Sequence, residues 1–454
     1  MVECKICGMS YNSDEYDFCP YCGENETKES STGVAEEEGS SAKANAGSSE
    51  QIVKPKKEKT EKQKSSFGLK FLISGLILIA VAAAAFFGLT NLRTSGATVP
   101  DQYATIQEAI DAAEDGAEII VQTGVYRENL DFQGKNIILR STDPDDPAVV
   151  EATVIDGNGR GPVVSFRSGE GDSTMLAGFT ITRGGGILIS GGSAPIIEKC
   201  VIEDNTAEFG AGLFIVDSSP TIRENFIIGN SAYVGGGIFI EESSPRLEDN
   251  NIAGNYAEMG SGIAIYSNAE PVINNNIIAD NVAARLGGAI FITLNSKPVI
   301  TGNTIAGNRA EVNGGGFFIE ESEPTIENNT INGNAAENGG GMIIVFINNP
   351  DYTIANNIFS ENFARRAGGA LYLAGSSLTM DSNQFTENQS DDLGGAVALY
   401  DSTPLFTNNS FENNTASDTG GGGAIWLSAD SKLEVSEPDL NRYIGNVPTD
   451  IFTE

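Results

Sequence analysis

Four of the five cysteines in this chain crowd its first residues, at Cys4, Cys7, Cys19 and Cys22, in the pattern C-x2-C-x11-C-x2-C. Two such pairs, each followed by a glycine (Gly8, Gly23) that lets backbone amides turn toward the sulfurs, suit a structural zinc held tetrahedrally on two knuckles. Disulfide pairing is the rival chemistry, and the compartment of this end decides between them. Elsewhere the options narrow, because the 454 residues contain no histidine. Ser-His and Cys-His nucleophile systems and His-ligated metals are thereby excluded, and any catalysis falls to Asp, Glu, Arg, Lys or Tyr. The nearest cluster of such residues is Arg365 and Arg366 in one turn, with Glu337, Asp391 and Asp392 at corresponding turns of the neighbouring repeats. Opposite charges one rung apart also form an ordinary exposed salt-bridge ladder of small energetic weight.

The elements that must position these groups differ along the chain. Residues 1–23 form the expected ribbon, where Glu3, Asp14, Glu15, Asp17, Glu24 and Glu26 surround the thiols against a lone Lys5. Nucleic acid is not its partner. Residues 24–66 are rich in Ser, Glu, Lys and Ala and bury too little apolar surface to order, so they read as a linker. Residues 67–90 contain an uncharged run, Phe71 to Leu89, of 19 residues. As a helix that run spans roughly 28 Å, enough to cross a bilayer core. Lys54, Lys56, Lys57, Lys59, Lys62 and Lys64 precede it and only Arg93 lies close on its other side. The positive-inside rule then places the N-terminus in the cytoplasm and the chain beyond residue 90 outside. A cleavable signal peptide is the alternative, but its charged leader would be unusually long. A cytoplasmic ribbon would stay reduced, which favours zinc over disulfides.

From residue 99 to 454 the chain repeats. Asn205, Asn230, Asn255, Asn281, Asn308, Asn334, Asn362, Asn388 and Asn414 recur every 25 to 28 residues. A second series, Cys200, Asn225, Asn250, Asn276, Asn303, Asn329, Asn357, Asn383 and Asn409, lies five residues before the first. Between them runs an apolar position, Ile202 through Ile331 and then Phe359, Phe385 and Phe411. With two further alternating segments per repeat, the spacing predicts three short strands per coil in an all-β, right-handed parallel β-helix of roughly triangular section. Asparagines in register would pass side-chain amide hydrogen bonds from coil to coil. Cys200 occupies the asparagine column as a small filler rather than a reactive thiol. The 53 glycines supply the turns, and the net charge of −35 repels nucleic acid.

Strand alternation also predicts an outward row: Phe214, Phe239, Ala264, Phe291, Phe318, Ile343, Tyr372, Ala398 and Trp426, with Tyr266 and Tyr400 two residues over. Exposed, this row would be a platform for sugar rings or a protein surface, with Phe214, Phe239, Phe291, Phe318, Tyr372 and Trp426 as the contact residues. Covered by a turn, it would be a self-stacking ladder.

Several segments resemble known families. The first 23 residues resemble short zinc ribbons found at the start of many membrane-anchored microbial proteins. Val99 to Ile110, with Gly124-Val125-Tyr126-Arg127-Glu128-Asn129, resembles the opening segment of pectin-lyase-like β-helix proteins. Its short helix, with Thr105 as N-cap and a stripe of Ile106, Ala109, Ile110 and Ala113, is expected to cover the first coil. The pairs Phe359 to Asn362 with Gly368-Gly369-Ala370-Leu371, and Phe385 to Asn388 with Gly394-Gly395-Ala396-Val397, are similar to repeats of chlamydial polymorphic outer-membrane proteins. The latter likeness implies a surface-exposed, adhesin-like or structural module that recognises a glycan or a protein. The former implies, as the alternative, a His-independent polysaccharide lyase acting on an acidic polysaccharide. Such a lyase would use aspartate-bound calcium and an arginine or lysine base, with Arg365, Arg366, Asp391 and Asp392 as the residues concerned.

Overall fold

A computed structural model describes residues 2–3, 10–11, 96–417, 421–436 and 438–454. Near the start, Val2–Glu3 pairs antiparallel with Ser10–Tyr11. The proposed zinc ligands Cys4, Cys7, Cys19 and Cys22, the linker at 24–66 and the anchor at 67–90 lie outside the described residues. No helix among the described residues is long and apolar enough to cross a membrane.

Residues 96–454 wind into a parallel β-solenoid of three long sheets with 14, 13 and 13 strands. Most strands are three or four residues long, and each pairs in register with its counterpart one coil away. Ile197, Ile222, Leu247, Ile273, Ile300 and Ile326 stack in the first sheet, and Ile202, Ile227, Ile252, Ile278, Ile305 and Ile331 in the second. All are fully buried in one continuous core. Stacks of Phe359, Phe385, Phe411 and Tyr443 continue that column at centroid distances of 4.9, 4.8 and 5.1 Å.

Asparagines hold the turns beside the second sheet. Asn230 Nδ2 donates to the Ile202 carbonyl at 2.9 Å in the coil before and to Asn255 Oδ1 at 3.1 Å in the coil after. The Asn230 backbone amide also donates to Asn255 Oδ1 at 3.0 Å. This pattern repeats in both columns, and from Asn205 to Asn414 the ladder side chains, at most 2% exposed, leave no amide unpaired. The columns run on past the expected Asn409 and Asn414 to Asn441 and Asn446, across a step of 32 residues that hides them from a fixed period. At those last rungs Asn441 Nδ2 donates to Asp439 at 2.7 Å and Asn446 Nδ2 to Asp450 at 3.0 Å. Cys200 begins one column, where burial pushes its thiol up to about 12, so it is inert.

The first coil is covered as expected by the helix Ile106–Ala112. Thr105 Oγ1 accepts from the Glu108 amide at 3.1 Å while Glu108 accepts from the Ala104 amide at 3.1 Å, a reciprocal cap. Glu128 takes the amides of Ile106 and Gln107 at 3.0 and 2.9 Å, and Ile106, Ala109 and Ile110 are buried.

One layer departs from the triangular expectation. Tyr256–Met259, Val282–Leu286, Arg309–Ala310, Ala335–Asn338, Phe363–Ala367 and Gln389–Ser390 form a fourth, six-stranded parallel sheet. It folds over the outer side of the third sheet. Its column of Ala283, Ala310 and Ala336 is buried as a small cluster of its own. Between the layers Gly287 turns at a φ of 63°, where a Cβ would lie 2.7 Å from the Ile290 carbonyl.

Candidate functional site

The outward row of the third sheet runs in unbroken register from Phe214 through Phe239, Ala264, Phe291, Phe318, Ile343, Tyr372, Ala398 and Trp426 to Phe452. Alternation places these side chains away from the core correctly, but the exposed platform does not exist over most of the row. Phe239 is 5% exposed, Phe291 0%, Phe318 5% and Trp426 5%. The fourth layer is the reason. Its covering column begins with Val234, Met259 and Leu286, which are buried against Phe239, Ala264, Phe291 and Phe318. Phe214 and Tyr372 keep partial exposure at the two ends of this cluster.

Ala264 would leave a gap between Phe239 and Phe291, and Tyr266 fills it. The Tyr266 ring lies 5.3 Å from each neighbour at interplanar angles of 29° and 28°. With Phe214 to Phe239 at 5.4 Å and Phe291 to Phe318 at 5.2 Å, five rings make one continuous stack. Burial pushes the Tyr266 hydroxyl well above its usual range. On the strand of Phe318, Glu320 is 5% exposed, and burial, with Glu321 adding repulsion, pushes its carboxyl up to about 8.

Beyond Leu286 the covering column becomes Asn313, Asn338, Ala367 and then Leu393. Smaller and polar residues thus replace the apolar cover, and Asn338 Nδ2 turns aside to Asn313 Oδ1 at 3.0 Å. A groove of about 570 Å³ opens here, lined by Asn338, Arg366, Ala367, Tyr372, Leu393, Tyr400, Trp426, Phe452 and Glu454. Ala398, the second alanine of the row, is fully buried and packs with Ala367 and Trp426 against Leu393, Phe452 and Tyr372. Tyr400, placed on its strand as Tyr266 is on its own, stays 56% exposed and lines the groove instead of joining a stack. Burial raises the Tyr372 hydroxyl, and the nearby Arg366 guanidinium offsets part of that rise.

The groove therefore gathers Arg366, Tyr372 and Trp426, which the sequence suggested for two different chemistries. The other candidates stay apart. Arg365 donates to the Glu311 carbonyl at 2.8 Å, two coils earlier. Asp391 and Asp392 are exposed and do not line the groove. Among the described residues no ion pair joins either arginine to Glu337, Asp391 or Asp392, and no three acidic or cysteine side chains gather as a metal would require. Phe452, Asn338 and Glu454 are groove residues that the sequence reading did not select, and Tyr400, noted there beside the aromatic row, joins them.

A family model described as "Right handed beta helix region" matches residues 129–284, 163–316 and 261–439, which together span more than half of the chain. No curated protein matches it.

Proposed function

Because the chain belongs to the right-handed β-helix family, we propose that residues 96–454 act as a rigid recognition module and that the groove between Tyr372 and Phe452 is where it holds a glycan. The observation that carries this reading is the meeting of the exposed Tyr400 and the half-buried Tyr372 with the donors of Arg366 and the acceptor of Glu454 in one cleft, with the buried Trp426 beneath them. Apolar ring faces stack on the C–H faces of sugars while a few polar groups fix orientation. A rigid solenoid suits the task, since a preformed cleft loses little entropy on binding.

In the same reading, residues 67–90 anchor the chain in a membrane, and Cys4, Cys7, Cys19 and Cys22 hold a structural zinc on the cytoplasmic side. The acidic-polysaccharide lyase is a second reading that rests on Arg366 alone. Neither the separated Asp391 and Asp392 nor any other described group fits a calcium ion, so no step through calcium is derived. A glycan array probed with the full-length protein tests the first reading. Binding to defined sugars, lost by roughly tenfold or more in Tyr372→Ala/Tyr400→Ala, is the expected result. The absence of any sugar binding, or release of unsaturated uronate products seen by ultraviolet absorbance, would replace it.

A further inference from the structure

From Asp217 to Asp401 each coil leaves the third sheet through a residue in the left-handed region. Asp217, Glu242, Ser267, Glu321, Gly375 and Asp401, with φ between 46° and 57°, hold this place with polar or minimal side chains. In the two remaining coils it is held by Leu294 and Phe346, at φ of 57° and 59°. Bulky apolar residues are outliers in that region, and these two also stand in water, at 41% and 47% exposure. Core packing does not account for either choice. The Phe346 ring even has a prepared place, for it leans over the next rung where Gly375 has no side chain. A Cβ on Gly375 would lie 3.0 Å from Phe346 Cδ1. Tyr400, 56% exposed, precedes Asp401, so Leu294, Phe346 and Tyr400 mark every second rung along one margin of the third sheet. At two strand spacings apart they are about 10 Å from one another along the axis.

We propose that Leu294, Phe346 and Tyr400 form a track for an extended, uncharged, β-1,4-linked oligosaccharide that lies along the solenoid axis. This inference rests on the glycan reading and carries it beyond the groove. Successive sugars of such a chain are turned over relative to one another, so alternate rings show the same face to a surface. Apolar platforms on every second rung meet that two-sugar repeat. Polar partners are at hand as well. A second cleft of about 500 Å³ opens beside Phe346, where Asn295 and Asn348 offer both donors and acceptors to hydroxyls. At the other end Tyr400 belongs to the groove already described, so the three side chains lead from one cleft to the other. Charge favours a neutral chain. Glu321, Glu323 and Asp401 stand along the track, Lys297 is the one cation lining the second cleft among the described residues, and the net charge of −35 repels polyanions at long range.

Calorimetric titration of the full-length protein with cellobiose, cellohexaose, chitohexaose, maltohexaose and hexagalacturonate tests the track. Cellohexaose or chitohexaose is expected to bind roughly tenfold or more tighter than cellobiose, because only the longer chain reaches several platforms. Maltohexaose, whose α-linkages curl the chain, and hexagalacturonate are expected to bind more weakly than that hexaose. Phe346→Ser, which removes the middle platform, and Gly375→Ala, which displaces it, should each weaken hexaose binding by roughly tenfold. Phe346→Tyr, which keeps the ring, should retain it. Melting curves establish that each variant is folded. Unchanged hexaose affinity in folded Phe346→Ser, or equal affinities for cellobiose and the hexaoses, overturns the track while leaving the groove standing. Equal binding of maltohexaose overturns the linkage, and tighter, salt-dependent binding of hexagalacturonate overturns the choice of an uncharged chain. No calorimetric response with array binding retained removes the track alone; no binding in either assay removes the glycan reading with it.

Discussion

The rungs at Ala264 and Ala398 share a local sequence, alanine followed by a branched apolar residue and a tyrosine, and both alanines are fully buried, yet Tyr266 is stacked between two rings while Tyr400 is 56% exposed. Nothing in the strand itself makes the difference. The covering column does: Met259 and Leu286 lie over the first, and Ala367 and Leu393 over the second. An aromatic side chain facing away from the core is thus packing or a binding surface according to a residue on another layer. Exposure belongs to the pair of layers.

If the cover alone separates the two regions, damage should differ between them. The largest effect is expected from Phe291→Ala in the sealed stack, which should cost about 3–5 kcal/mol in chemical denaturation, because a fully buried ring leaves a cavity with no room to collapse. A loss as small as that of a surface substitution would mean the cover is loose. Next come Asn308→Ala and Asn388→Ala, one in each region. Each removes the same bonds, to the carbonyl of Ile278 or Phe359 and to Asn334 or Asn414, so both should cost about 2–3 kcal/mol. Unequal costs would show that the regions differ in their inner turns and not only in their cover.

Glu320→Gln tests the sealed region through pH. Because burial raises the folded-state pKa to about 8, the unfolded chain loses its proton first, and wild-type stability should fall as pH rises from about 4.5 to 8. The variant should gain roughly 4 kcal/mol over wild type at pH 8, and nothing at pH 4. A gain that does not depend on pH would show that Glu320 is solvated. The smallest effect is expected at Tyr400→Ala, within about 0.5 kcal/mol of wild type in the same denaturation assay, since that ring is largely in water. A marked loss there would mean that the Tyr400 ring is packed rather than exposed in solution.

Much of the solenoid was legible because its information is periodic. Ile202 and Ile227 occupy one buried column, and Asn205 and Asn230 one ladder, so like residues at a fixed interval announced both. The fourth sheet was not read because its strands are short, carry a register shift between Ala257 and Met259, and mix charged with small residues. Its trace was the small residue two places after each ladder asparagine, at Ala257, Ala283, Ala310, Ala336 and Ala364. Missing that layer is why the row of Phe239, Phe291, Phe318 and Trp426 stayed open between an exposed platform and a covered ladder. Arg366 was selected for its charge, but only the fold brings it to Tyr372 and Trp426, which lie two rungs apart and in a different layer.

The asparagine ladders have a direction. Each Oδ1 accepts from the coil before it, and each Nδ2 donates onward to the coil after it, from Asn205 to Asn446 without reversal. Aligned amides add their dipoles as peptide units do along a helix, so positive potential accumulates toward the last rungs. There the carboxylates of Asp439 and Asp450 accept from Asn441 and Asn446, one acid per ladder. The solenoid is electrically polar along its axis, and its positive pole is neutralised by two anions of its own.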